Sequence, residues 1–316
     1  MAGPDTPGAA ALVPEAAARV AQINRLALPD RWLLRPAVMR RAYAAMSGLL
    51  GLPDPGNVTT RRLTVEGGAG PLPALLHRPV NGAKAGLIVH FHGGGFCIGS
   101  PATHRAAARA YAAAAQRPVL SVGYRLAPEH GFPAAHDDAW AALCWAARQS
   151  DLTGNGPLIV MGESAGGNLA VDGARRAAWA GGPALAAHVL LYPAVDAVTA
   201  RDSYRRYAAG FVLTRAQYDW FMAQYLGAAD RSDPRLSPAL APVPPALAPA
   251  LIVPAQCDIL YDEGVAYGET LAAAGAEVRV MVGEGLFHDA VQLGRGVPQA
   301  QALVRAIGRW LVERAG

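Results

Sequence analysis

Leu158-Ile159-Val160-Met161-Gly162-Glu163-Ser164-Ala165-Gly166-Gly167-Asn168 is the stretch on which the fold turns. Its opening run is continuously apolar, as expected of a strand in a parallel sheet covered by helices on both faces. The next segment, 165–180, carries a helical pattern. Between the two stands Gly162-Glu163-Ser164-Ala165-Gly166, a serine in the strand–turn–helix setting of a nucleophile elbow. Side chains two positions either side of the serine would collide in so sharp a turn, which accounts for both glycines. The pentapeptide alone is common; its context gives it weight.

Outward from this stretch, strand-like runs recur at Arg62–Glu66, Leu72–Arg78, Leu87–Phe91, Val119–Tyr124, His188–Tyr192, Leu251–Ala255 and Val278–Val282. Helical segments at 103–116, 134–149, 262–274 and 297–314 separate most of them. Alternation of this kind predicts a doubly wound α/β sheet. Ahead of it, residues 1–14 read as a loose tail. Glu15–Leu50 reads as two short amphipathic helices, broken by Pro29 and Pro36. The alternation lapses from about 196 to 228, where Tyr204, Tyr207, Phe211, Tyr218, Trp220, Phe221 and Tyr225 crowd together. Two helices packed on the body would explain them. A lid inserted after a strand's carboxyl end, over the crevice where α/β sheets bind ligands, is preferred.

Composition narrows the class. With 52% hydrophobic and 16% charged residues the chain reads as globular rather than disordered. The net charge of +4 comes almost wholly from scattered arginines, Lys84 being the only lysine. No dense basic stripe with interleaved aromatics is present, so nucleic acid is not an expected partner. Cys97, Cys144 and Cys257 are odd in number and widely spaced, which suggests neither a disulfide framework nor a zinc site. No run approaches the roughly 18 apolar residues of a membrane span, and no signal-peptide pattern is seen. The expectation is a reduced, cytoplasmic protein needing no metal or organic cofactor.

A serine nucleophile needs a base, an orienting acid and donors for the oxyanion. His92-Gly93-Gly94-Gly95 comes directly after the run Leu87–Phe91, and its amides can point at an oxyanion together with that of Ala165. A tight strand-ending turn is the alternative; a Walker loop is excluded, because no Gly-Lys-Ser/Thr comes after it. In α/β-hydrolase chains the order is serine, acid, histidine, which leaves His188 and His288. His188 opens an apolar strand and reads as packed, whereas His288 lies just past Val278–Val282, so His288 is the candidate base. Asp258, after Leu251–Ala255, is the candidate acid. Asp262 and Glu263 open the next helix, where carboxylates favour the positive end, and Asp289 is too close to His288 in the chain to orient its ring.

With these residues in place the chain resembles the hormone-sensitive lipase-like esterases, also called bacterial family IV, over most of residues 60–315. The resemblance is carried by Phe91-His92-Gly93-Gly94-Gly95-Phe96, Tyr124-Arg125-Leu126-Ala127-Pro128-Glu129, Phe132-Pro133-Ala134-Ala135-His136-Asp137-Asp138, the Gly162–Asn168 motif, Asp233-Pro234-Arg235-Leu236-Ser237-Pro238 and Asp258-Ile259-Leu260-Tyr261-Asp262-Glu263-Gly264. It implies an α/β-hydrolase fold: an eight-stranded, mostly parallel twisted sheet flanked by helices. It further implies a helical cap from 1–55 and 196–228 over a catalytic domain of 56–195 and 229–316. It implies Ser164, Asp258 and His288 as the triad and Gly94, Gly95 and Ala165 as oxyanion donors, with His92 and the Tyr124–Asp138 stretch as scaffold. Two departures stand out: Glu163, where the family commonly has Asp or Thr, and Asp289-Ala290, where Gly-Phe commonly comes after the histidine.

The expected activity is a serine carboxylesterase acting on a small-molecule ester with a short-to-medium acyl or aromatic group. A receptor on the same fold, or an amide hydrolase, is the alternative. Many relatives dimerise through the sheet edge, which makes a homodimer the expected self-association. Cys97, two positions past Gly95, is either near the site or a structural thiol.

Overall fold

A computed structural model describes residues 11–26 and 35–314 of the chain. The tail expected over 1–14 falls mostly outside the described residues, as does the break at Pro29. Two helices, α1 (Pro14–Leu26) and α2 (Pro36–Leu50), come first, followed by β1 (Val58–Gly67), β2 (Gly70–Pro79), β3 (Leu87–Phe91), α3 (Arg105–Ala115) and β4 (Val119–Val122). Next come α4 (Ala134–Ala147), α5 (Ser150–Thr153), β5 (Leu158–Glu163), α6 (Ala165–Ala180) and β6 (Leu185–Leu191). The chain then runs through α7 (Ser203–Arg206), α8 (Arg215–Leu226), a 3-10 turn (Pro238–Leu240), β7 (Ala250–Val253), β8 (Ala255–Cys257), α9 (Tyr261–Ala273), β9 (Val278–Val280), β10 (Gly283–Phe287) and α10 (Pro298–Arg314).

Eight strands form one sheet in the order β1-β2-β4-β3-β5-β6-β7-β9. Only β2 runs antiparallel to its neighbours; the other pairs are parallel. The apolar strands are buried on both faces, as their unbroken runs required. Leu87, Val89, Leu158, Val160 and Ile252 join the core beneath α4, α6 and α9. Ile88, Ile159, Met161, Val189 and Leu251 join the opposite core beneath α3 and α10. Strand alternation thus sends successive apolar residues to opposite layers, and each fully buried Leu, Ile or Val contributes about 1.5–3 kcal/mol.

The structure divides a run that the sequence pattern joins. Pro254 interrupts Leu251–Ala255: it has no amide to give a ladder, and its carbonyl instead accepts from Gly283. Past the proline lies a separate parallel pair, β8 with β10, in which Phe287 faces Cys257. Residues 258 and 288 therefore leave one ladder side by side. On the other side of the elbow, Phe91 faces Gly162 across β3 and β5, so the His92–Gly95 loop emerges beside Ser164. Register converts three distant stretches of chain into one site.

Candidate active site

Ser164 caps α6 with φ 54° and ψ −117°, a backbone conformation in which a side chain is strained. A Cβ on Gly162 would run into the Gly166 carbonyl, and one on Gly166 into that of Phe91. Both glycines are thus required by contact with backbone, which cannot give way.

His288 Nε2 lies 3.0 Å from Ser164 Oγ, and its Nδ1 lies 2.6 Å from Asp258 Oδ2. An ionised carboxylate can only accept, so the ring proton sits on Nδ1 and the hydroxyl of Ser164 donates to Nε2. Asp258 is held in turn by the Leu260 amide at 3.0 Å on its other oxygen. All three side chains are buried. Burial by itself would lower the pKa of His288; the Asp258 carboxylate and its hydrogen bond, then Asp289 and Glu163, raise it above the ordinary histidine value.

Gly94, Gly95, Ala165, Ser164 and His288 all line one cavity of about 210 Å³. Met39, Ala42, Tyr43 and Met46 of α2 and Tyr218, Phe221 and Met222 of α8 form much of its remaining wall. Helix α8 starts with a capping box, Thr214 and Gln217 each bonding the other's amide. The aromatic segment therefore does two jobs. Phe211, Tyr218 and Phe221 face the cavity, while Tyr225 is bonded to His136 at 2.8 Å and stacks on Phe96.

The glycine loop is braced from behind. Tyr124 donates to the His92 carbonyl at 2.8 Å and stacks on the His92 ring, and the Gly93 amide donates to His104 Nε2 at 3.3 Å. The other motifs converge as well. Asn168 accepts from His136 at 2.9 Å and donates to the carbonyls of Ala194 and Leu236, while Asp138 grips Arg125 through both oxygens. Polar bonds thus join sequence motifs that lie far apart in the chain, His136 to Asn168 and Asn168 to Leu236.

The unselected candidates have other work. His188 is wholly buried within β6 and pushed down to about 4 by that burial. Asp262 pairs with Arg206 and accepts from the Ser203 amide, and Glu263 binds the Val195 amide and the Tyr204 hydroxyl; both tie down the aromatic segment. Cys97 is fully buried with its thiol against the Phe221 carbonyl, and burial pushes it up to about 12, which leaves it inert. The two residues that depart from the family pattern acquire partners that the chain order does not reveal. Glu163 accepts from His90, Tyr111 and Tyr192, and Asp289 accepts from Tyr43 at 3.1 Å. Among the described residues, no group of three or more His, Cys, Asp or Glu side chains could hold a metal ion, and no helix is long and apolar enough to cross a membrane.

Residues 88–292 match the family model described as the alpha/beta hydrolase fold. The chain belongs to this family. Its relatives within the family include the carboxylic ester hydrolase LipN of Mycobacterium tuberculosis, 40% identical over 88% of this chain and 76% of that one. The ethyl acetate hydrolase of Pseudomonas putida is 38% identical over 83% of this chain and 85% of its own. Among solved α/β-hydrolase structures, a thermostable esterase from Pseudomonas putida superposes with a TM-score of 0.90 at 28% identity, covering 98% of this chain and 99% of that one. An ester hydrolase from the Lake Arreo metagenome gives 0.90 at 32% identity, covering 96% and 98%. The expected fold and the hormone-sensitive lipase-like resemblance are both borne out.

Proposed function

We propose that this α/β hydrolase is a carboxylic ester hydrolase that works by acyl transfer through Ser164, His288 and Asp258, on esters with short-to-medium acyl or aromatic groups. The observation that carries the reading is the relay of 3.0 Å and 2.6 Å contacts opening onto an apolar cavity. The names of the relatives support ester hydrolysis as the activity.

In the first half-reaction Ser164 Oγ attacks the ester carbonyl while His288 Nε2 takes its proton. Asp258 stabilises the imidazolium and keeps the ring oriented. The carbonyl oxygen becomes an oxyanion, received by the amides of Gly94, Gly95 and Ala165, each such donor contributing about 10²–10³ in rate. Collapse breaks the C–O bond, and His288 gives its proton to the departing alcohol. Water then repeats the sequence on the acyl-enzyme, releasing the acid and restoring Ser164. In this reading α1, α2 and the 196–228 segment form the cap. The cavity falls below the roughly 300–1,000 Å³ of drug-sized ligand sites, and its walls of Met, Phe and Leu suit an uncharged acyl or aryl group.

The test is hydrolysis of p-nitrophenyl esters of graded acyl length by wild-type protein and by Ser164→Ala. The wild type is expected to peak at short or medium chains. The variant should lose on the order of 10⁴-fold or more in kcat while unfolding at the same temperature. Turnover that persists in purified Ser164→Ala would overturn the assignment.

A further inference from the structure

Asp289, next to the base, combines two features that a structural residue has no use for. Its backbone is left-handed, φ 63°, a conformation that a residue with a Cβ adopts only at a cost. Its side chain is buried with Oδ2 accepting from Tyr43 on α2, while Oδ1 has no hydrogen-bond partner. A glycine would avoid both the strained backbone and the unpaired acceptor. Burying an acceptor without a donor is unfavourable, so such a group calls for a reason. Asp289 lines the same cavity as Ser164 and His288, and its free oxygen lies by the glycine loop, 3.7 Å from where a Cβ on Gly93 would stand.

Charged and titratable groups surround this carboxyl on every side. Tyr43 faces it from α2, and His104, which the Tyr43 hydroxyl approaches at 3.4 Å, from the start of α3. Glu163 stands at the end of β5 with His90, Tyr111 and Tyr192 as its donors. His288 and Asp258 complete the set, and the Tyr192 ring lies 5.0 Å from that of His288. Among these, His288 is the group on which positive charge grows as the serine proton is transferred.

We propose that Asp289 is a positioning residue for the base: its carboxylate, anchored by Tyr43, favours the imidazolium that forms on His288 and so couples helix α2 to the proton transfer. This rests on the reading of Ser164, His288 and Asp258 as the reacting set. Asp258 orients the ring through contact; Asp289 acts through its charge at short range, in a site where burial keeps such interactions strong. Burial pushes the Asp289 carboxyl up to about 6, with His288 and the Tyr43 hydrogen bond pulling it down and Glu163 pushing it up. Asp289 and His288 are each held above their ordinary values and each bears on the other through charge, so the loss of activity in acid should follow both.

The test compares Asp289→Asn, which keeps an acceptor for Tyr43, with Asp289→Gly, which relieves the backbone. The first measurement is the pH profile of kcat and KM on p-nitrophenyl butyrate. Both variants are expected to lose about three- to tenfold in kcat at pH 8, with KM within about twofold, and to shift the acid limb about half to one pH unit lower. The second is the titration of the His288 ring by NMR in Ser164→Ala protein, with and without Asp289→Asn, where the same downward shift is expected. An unmoved limb and an unmoved titration in folded variants would overturn the proposal. So would an Asn variant identical to wild type beside a crippled Gly variant, since that would make Asp289 a loop support only. Because the titration needs no turnover, it decides the matter even if the ester-hydrolase reading fails.

Discussion

Glu163 and Glu263 are both fully buried carboxyls near the carboxyl ends of the sheet, and the protein holds them in opposite states. Burial alone would push Glu163 up. The His90 hydrogen bond, the charges of His104 and His90 and the Tyr192 hydroxyl overcome it and hold the group down to about 2. Glu263 receives the Tyr204 hydroxyl at 2.7 Å and the Val195 amide at 2.7 Å. Yet burial wins there and pushes it up to about 8, helped by the neighbouring Asp196 carboxylate. Two equally dry carboxyls thus differ by what surrounds them: a histidine and two tyrosine hydroxyls as partners in one case, a neighbouring second acid in the other. The charged one stands directly before Ser164 in the chain, and the neutral one pins the aromatic segment through Val195 and Tyr204.

The largest effect should come from breaking the charged network. Glu163→Gln leaves His90, Tyr111 and Tyr192 competing for one amide oxygen, and a buried donor left unpaired costs about 1–3 kcal/mol. Urea unfolding at pH 7 measures it; a loss below about 1 kcal/mol would mean that the network contributes little.

The pH windows of the two groups sharpen the contrast. Glu163 is depressed in the fold, so its contribution to stability is complete above the unfolded carboxyl value and is lost as pH falls from about 4.5 towards 2. Glu263 is raised in the fold, so its contribution is complete below about 4.5 and is lost as pH rises to about 8. Wild-type stability minus that of Glu263→Gln should therefore fall by on the order of a few kcal/mol between pH 5 and 8, read from urea midpoints at each pH. A flat difference would mean that Glu263 is ionised throughout and that the two carboxyls are alike.

The smallest effect is expected for Tyr204→Phe, which removes one donor from Glu263 and costs about 1 kcal/mol. The ionised form loses a partner, so the upper edge of the Glu263 window should move above its present value. If that edge instead moves down in the same pH series, the Tyr204 hydroxyl favours the protonated carboxyl.

The candidate carriers of chemistry are legible in the chain because each depends on local rules. The elbow at Ser164 is read from a strand, a turn and a helix, and Asp258 and His288 from their order and from strand ends. Helix boundaries agree to within a few residues, for instance 262–274 against α9 at Tyr261–Ala273. Less legible are the strands near Pro254, because a short pair such as β8 and β10 has no periodicity of its own. The aromatic segment is only half legible: its composition is the same whether a ring faces a cavity or packs on His136.

The layered α/β plan and the proposed set of reacting side chains can be read along the chain, since continuous apolar strands, turn glycines and chain order are properties of neighbouring residues. Which acids are charged, and what they serve, is set by the folded chain. Glu163, Glu263 and Asp289 take their states from partners on β3, α3, α2 and the aromatic segment. Those partners are brought together by strand register and helix packing, and the electrostatic cost of a buried carboxyl depends on the few ångströms around it. No spacing along the chain records that distance.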